Sequence, residues 1–332
     1  GTTNSMGRGI FVVDGITGNV LWQAGPVAPA TLSPGEVFQT VTAMTFAIPS
    51  DVSMLDRNSD GYADRLYVGD TGGNVWRADI NDVSPANWTV NKLAALGFAA
   101  SGTVGSRRKF LYPPDVVFSS DANGRYDAVL MGSGDREHPF NGYGDTANPL
   151  INAVTNRYYM IKDRNTDFTY SGATITEADV FDTTDNLIQQ GSAAQITAAT
   201  AALTAARGWS ITLLTGEKVI SGAVTLGGAT FFNTNQPTQP APGVCGSNLG
   251  IAREYAVNFQ TGGAIIAYNT VAGLTAASRY LPNPAGGYPP SPVGAIVQIG
   301  GRMQQIVISG TSVLQPPASL IGARKRTFWN LK

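Results

Sequence analysis

An all-β fold, a β-propeller of about seven blades with a small helical insertion, follows from three features of this 332-residue chain. Short apolar runs alternate with turn signals along nearly the whole length. Glycine is abundant, 39 residues, and spread throughout. One hairpin pattern also returns. GIFVVDGITGNVLWQ (9–23) is strand, glycine turn, strand, and DRLYVGDTGGNVWRADI (64–80) repeats the plan. REYAVNFQTGGAIIAYN (253–269) shares it. In each, an apolar strand ends in Asp or Asn, a T-G or G-G pair makes the turn, and a strand returns. The first two copies carry Trp22 and Trp76 on that return. Antiparallel units of about 40–50 residues read as propeller blades, and the chain length divided by that period gives about seven.

The other runs continue the series: 126–135, 156–163, 218–234, 294–310 and 324–331. One segment departs from it. About residues 174–207 alanine is dense, Ile196 and Leu203 fit a helical period, and Gly208 is a stop. This reads as one or two short helices inserted between blades, covering a face or edge. The proline-rich stretches 236–243 and 282–292 read as surface loops, because hairpins resume on both sides. Residues 1–332 are expected to form one propeller domain. The Gly/Ser/Thr-rich opening reads as a fragment of a longer protein.

Composition excludes several functions. The net charge is −1 with 14% charged residues, so no strong field draws nucleic acid or an anionic membrane. No apolar run is long enough to span a bilayer as a helix. One cysteine, Cys245, allows no internal disulfide, and one histidine, His138, excludes a zinc site built on several histidines. The basic clusters Arg107–Lys109 and Arg324–Arg326 read as solvated edges. In GSGDREHP (132–139), Asp135, Arg136, Glu137 and His138 crowd together. Neighbours on a turn point in different directions, so the better reading is a structural network with Arg136 on a carboxylate, not a histidine base. No catalytic constellation is found, and the chain reads as no enzyme.

Chemistry concentrates in DRNSDGYAD (56–64). Asp56, Asn58, Asp60 and Asp64 place side-chain oxygens at alternate positions, with Tyr62 between the last two. Calcium takes six to eight oxygen ligands at about 2.3–2.6 Å, and alternate positions of a tight loop point inward. Asp56, Asn58, Asp60 and Asp64 would supply side-chain oxygens and Tyr62 its backbone carbonyl. Gly61 permits the sharp turn. Three carboxylates this close repel without a cation. The first half matches the EF-hand text D-x-[DN]-x-[DN]-G, but Tyr67 stands where the EF-hand has glutamate, and a strand follows instead of a helix. One calcium ion between two strands is the expectation. SDANGRYDAVL (120–130) is a shortened echo with Asp121, Asn123 and Asp127, and reads as a turn without metal.

Several motifs together resemble one family. They are Ile48-Pro-Ser-Asp51, the DRNSDGYADRLYVGDTGGNVWRADI stretch, PPDVVF (113–118), VLMGSGDREHP (129–139), RYYMIKD (157–163), Gly208-Trp209 and GEKVISG (216–222). Their order and spacing resemble the C-terminal domain of the PilY family, the type IV pilus tip-associated biogenesis factors and adhesins. The likeness covers essentially the whole chain and is looser around Cys245 and the helical segment. It implies a modified β-propeller whose loop Asp56, Asn58, Asp60, Tyr62 and Asp64 holds calcium; the loop text itself is similar to the calcium loops of integrin α-subunit propellers. It implies that calcium occupancy governs pilus extension against retraction, and so twitching motility and surface attachment. The implied partners are the pilus machinery, minor pilins at the tip, and a host or abiotic surface. The implied place is extracellular, at the pilus tip or outer cell surface, after export through the periplasm. The family's long N-terminal region is absent from this sequence. No RGD motif is present, so integrin binding is not implied.

Two other classes compete. The hairpin V-D-x-x-T-G-x-V-L-W also resembles blade repeats of quinone-cofactor dehydrogenases, which often carry a vicinal cysteine pair that one cysteine cannot form. A carbohydrate-binding propeller would use exposed aromatics in loops such as GGYPPSP (286–292).

Overall fold

The computed structural model describes residues 6–97, 103–138, 154–167, 169–238, 243, 249–266, 273–299, 302–310 and 312–315. These form five sheets. The first holds β1 (Ile10–Val13), β2 (Val20–Gly25) and β3 (Val37–Thr40), with β3 parallel to β2. The second is built on an antiparallel meander, β4 (Ser53–Leu55), β5 (Arg65–Gly69), β6 (Asn74–Asp79) and β7 (Thr89–Ala95). The third begins with β8 (Asp115–Asp121), β9 (Gly124–Gly132) and β10 (Arg157–Asp163).

The connector after β10 then does something unusual. It first lays β11 (Ile175–Thr176) parallel to β7 of the second sheet. It next returns as β12 (Phe181–Asp182), parallel to β13 (Gly208–Thr212) of the third. Between them in sequence come the helices α1 (Leu187–Gln190) and α2 (Ala193–Ala205). The fourth sheet holds β14 (Lys218–Val219), β15 (Val224–Leu226), β16 (Ala229–Gln236), β17 (Ile251–Asn258) and β18 (Tyr280–Asn283). The fifth holds β19 (Val293–Ile299), β20 (Arg302–Ser309) and β21 (Ser312–Leu314).

Successive sheets stack face to face in chain order, and alternation along the strands explains how. In β5, Leu66 and Val68 join Ile10 and Trp22 of the first sheet, while Tyr67 between them joins Val129 and Tyr159 of the third. In β9, Val129 and Met131 face the second sheet, and Ala128 and Leu130 face the fourth with Phe232 and Tyr255. Val307 and Leu314 of the fifth sheet close on Phe231 of the fourth. A strand apolar on both faces reads as a continuous run, as in RLYVG, where every residue is buried. Aromatic rings fill the third-to-fourth seam: Tyr158 stacks on Phe232 at 3.7 Å and Phe232 on Tyr255 at 4.7 Å between centroids. The architecture is all-β and propeller-like, as the alternating runs predict. The described sheets number five against the expected seven or so. Helices and long connectors occupy chain that division by a period counts as blades.

The recurring hairpin owes its shape to one carboxylate or amide oxygen in each copy. Asp14 Oδ1 accepts the N–H groups of Ile16 and Thr17 at 2.9 and 2.7 Å. Asn258 Oδ1 accepts those of Gln260 and Thr261 at 2.9 and 3.1 Å. Asp70 goes further because it is buried. Its carboxylate takes the N–H groups of Gly72 and Asn74, the Asn74 amide and the Trp76 indole, all at 2.8–2.9 Å. Burial pushes the Asp70 carboxyl up despite these donors. Gly73 turns the chain at φ +78°, and a Cβ there would stand 2.5 Å from the Gly97 backbone.

The expected helical segment is partly strand, since β11 and β12 lie inside 174–207. Local alanine content favours helix only from 187 onward, and the preceding residues find sheet edges to join. Ser192 caps α2 by accepting the Gln195 N–H, and Gln195 returns to the Ser192 N–H. Ala199 and Leu203 are its buried positions. Its C-terminal carbonyls are held by the third sheet: Lys162 Nζ donates to Leu203 O at 3.3 Å and the Asn123 amide to Thr204 O at 3.0 Å. Lys162 also pairs with Asp121, as does Arg164. Of the proline-rich stretches, 282–292 opens inside β18 and 236–243 begins on the last residue of β16; residues 239–242 lie outside the described ones, as does run 324–331.

Asp70→Ala strands four donors in the core and is expected to cost about 3 kcal/mol or more in urea unfolding, whereas Asp14→Ala on the surface costs clearly less. Burial raises the Asp121 pKa, but bonds from Arg164 and Lys162 outweigh it and hold it at about 2. A depressed carboxylate pKa contributes stability above the unfolded value of about 3.9 that is lost as pH falls toward 2. The acid-unfolding curve of Asp121→Asn should therefore be flatter than wild type between about pH 4 and 2.

Candidate functional site

The loop 56–64 joins β4 to β5 at the edge of the second sheet. Its oxygens organise its own backbone. Asp56 Oδ1 accepts from the Ser59 and Asp60 N–H groups at 2.6 and 3.2 Å, and Oδ2 from Gly61 at 2.9 Å. Asp60 takes the Tyr62 N–H at 2.9 Å and the Asn58 amide at 2.9 Å. Asp64 Oδ2 reaches back to the N–H groups of Arg57 and Asn58 at 2.6 and 3.2 Å, which closes the base. Ser59 and Gly61 take positive φ of 63° and 94° to make the bend. The Tyr62 side chain is 77% exposed, so it turns away from the loop.

All five predicted positions thus share one closed loop. The donor set of three carboxylates, an amide oxygen and a carbonyl is hard oxygen throughout, which suits calcium. As they stand, the carboxylates are engaged by N–H groups. Among the described residues no three His, Cys, Asp or Glu side chains converge closely enough to hold a metal. Binding an ion therefore requires these carboxylates to turn inward while keeping part of the N–H scaffold.

Beneath the loop lies a charged network that the sequence reading did not single out. Asp127 and Asp163 are paired across β9 and β10, and both are buried. Arg65 Nη1 donates to Asp127 Oδ2 at 2.6 Å, and Arg77 Nη1 to Asp163 Oδ2 at 2.7 Å. Tyr67 O–H lies between them, 3.2 Å from Asp127 and 2.8 Å from Asp163. Asp79 joins from below, accepting from Arg77 Nη2 at 2.6 Å and Arg65 Nε at 3.3 Å, and from the Tyr170 N–H at 2.9 Å. Arg57 leaves the loop to donate to Asp127 Oδ1, with its guanidinium 5.0 Å from the Phe118 ring centre. Burial pushes Asp127 up against the pull of Arg57 and Arg65. Burial also works against charge on Arg77, yet Asp163 and Asp79 outweigh it and hold it above its ordinary value. A sequence signal exists: a charged residue interrupts each apolar run, in RLYV, VWRAD, YDAVL and MIKD.

The other candidates disperse. In the echo, Asp127 turns into the core, Asp121 pairs with Lys162 and Arg164, and Asn123 holds α2. In 132–139, Asp135 accepts from Lys109 Nζ at 2.5 Å and lies 3.0 Å from His138 Nδ1. Burial raises the Asp135 pKa, but Lys109 outweighs it and holds it down. Rather than the expected pairing with a carboxylate across blades, Arg136 donates to the Tyr112 hydroxyl at 2.9 Å, with its guanidinium over that ring. The basic cluster 107–109 is no solvated edge either. Arg108 is buried and bonds Thr155 O, Leu96 O and Glu177. Cys245 and the cluster 324–326 lie outside the described residues.

No family model matches this chain. A curated relative, the type IV pilus biogenesis factor PilY1 of Pseudomonas aeruginosa (strain UCBPP-PA14), is 28% identical over 133 residues, 34% of this chain and 11% of the relative. The crystal structure of the Pseudomonas aeruginosa PilY1 C-terminal domain superposes with a TM-score of 0.60 at 16% identity, covering 93% of this chain and 66% of that one. The chain has the fold of the PilY1 C-terminal domain. The PilY-like motifs read from the sequence and the fold across 93% of the chain thus point the same way. The stretch of this chain that matches spans about a tenth of the length of the curated PilY1.

Asp127→Ala, which leaves Arg57 and Arg65 facing a gap, is expected to lower stability by about 3–5 kcal/mol in thermal unfolding. Asp127→Asn keeps the shape and should lose less.

Proposed function

We propose that this chain is the calcium-binding propeller domain of a type IV pilus biogenesis factor. It acts outside the cell at the pilus tip or outer surface, where it regulates extension against retraction and so twitching motility and attachment. The observation that supports this most is the likeness in fold to the PilY1 C-terminal domain across 93% of the chain. Its role is a non-enzymatic one, with the pilus machinery and minor pilins as partners. No helix among the described residues is long and apolar enough to cross a membrane.

In this reading Asp56, Asn58, Asp60 and Asp64 bind one calcium ion through their side chains and Tyr62 through its carbonyl. The ion, when bound, supplies the positive charge that lets three carboxylates face one point. The chain does the rest. Asp56 fixes the bend through the N–H groups of residues 59 to 61. Asp64 ties the end of the loop to its start. An ordered loop then presents one surface to a partner, and a loop without the ion presents several, which is an order–disorder switch.

Calorimetry on the intact domain tests this. One calcium site is expected in wild type, abolished in Asp60→Ala and Asp64→Ala with the fold retained. At free calcium about 100-fold above Kd, binding should add about 2.7 kcal/mol to wild-type stability and nothing to the variants. A folded wild type that binds no calcium would refute the reading.

A further inference from the structure

Arg57 occupies an uncommon position. Its N–H belongs to the loop, held by Asp64 at 2.6 Å. Its guanidinium belongs to the core, on a carboxylate that is 0% exposed. That carboxylate, Asp127, comes from the next sheet. Its other oxygen takes Arg65, the residue directly after the loop. Both ends of the nine-residue loop are therefore clasped by a single side chain of the third sheet. Phe118 on β8 backs the clasp beneath the Arg57 guanidinium. The reach is specific to arginine, whose planar fork serves an ion pair and an aromatic face together.

The Asp64 carboxylate links the two halves of this arrangement. While it holds the Arg57 N–H, the Arg57 backbone is fixed and its side chain reaches Asp127. If Asp64 turns toward an ion, the grip on the Arg57 N–H changes and so does the aim of the guanidinium. We propose that Arg57 is the positioning residue that couples the state of the 56–64 loop to the seam between the second and third sheets. The loop's state is then felt by the β8–β9 hairpin, which contributes no calcium ligand. The regulatory sense of this coupling rests on the calcium reading above; the mechanical coupling does not.

Hydrogen exchange read residue by residue separates the two. In wild type, saturating calcium is expected to slow exchange at 56–66 and also in β8–β9 by at least about 5-fold, the lower end of an allosteric coupling. Arg57→Gln should still bind calcium by calorimetry, because its side chain is not among the ligands, but the slowing should stay within 56–66. Equal spread into β8–β9 in both proteins would overturn the proposal. If wild type binds no calcium, the calcium reading fails and the coupling is read without it. Asp64→Ala, which frees the Arg57 N–H, should then speed β8–β9 exchange about 5-fold in the wild-type background and leave it unchanged with Arg57→Gln. Additive effects of the two substitutions would overturn the coupling. Arg57→Lys should restore only part of it, as a point charge without the fork.

Discussion

Two buried carboxylates facing each other across one pair of strands set the terms for the rest of this molecule. Asp127 and Asp163 sit opposite on β9 and β10, where like charges repel and water does not reach. Desolvating each anion costs several kcal/mol, so the pair persists only if cations arrive in good geometry. Arg65 and Arg77 supply them from β5 and β6 of the neighbouring sheet, and Arg57 from the loop. The second and third sheets therefore meet in one register only. A shift of one residue along β5 would swap Arg65 and Tyr67 for Leu66, which takes Arg65 from Asp127 and the Tyr67 hydroxyl from both carboxylates.

The apolar seams tolerate more. Between the third and fourth sheets the contact is a stack of rings and aliphatic side chains, where volume matters more than identity. Where apolar packing supplies the area, the charged network supplies the angle. The 56–64 loop belongs to the charged seam, so its conformation is tied to a part of the core where small displacements are expensive.

The features legible in the sequence are those whose chemistry is local. The hairpins read correctly because an Asp or Asn satisfies N–H groups only two to four residues away. In the 56–64 loop the bonds are still local, the one that closes its base running from Arg57 to Asp64 over seven positions. The Asp127–Asp163 network was not legible, because Arg65 and Asp127 lie 62 positions apart and Arg77 and Asp163 lie 86 apart. Only the misplaced charges inside apolar runs hinted at it. Arg108 escaped similarly: three adjacent basic residues look like surface until carbonyls from two distant segments converge on one of them. The short parallel strands β11 and β12 carry too few residues for any periodicity to show.

Those two strands have a consequence of their own. The connector after β10 leaves the third sheet, adds a strand to the second, and comes back to finish the third. Neither sheet is complete until the other has formed. Such stitching makes the two sheets a single cooperative unit, with pairings far apart in the chain that form late and slowly. A protease or a pulling force that frees one edge meets no independent blade to peel away, and must break both sheets at once.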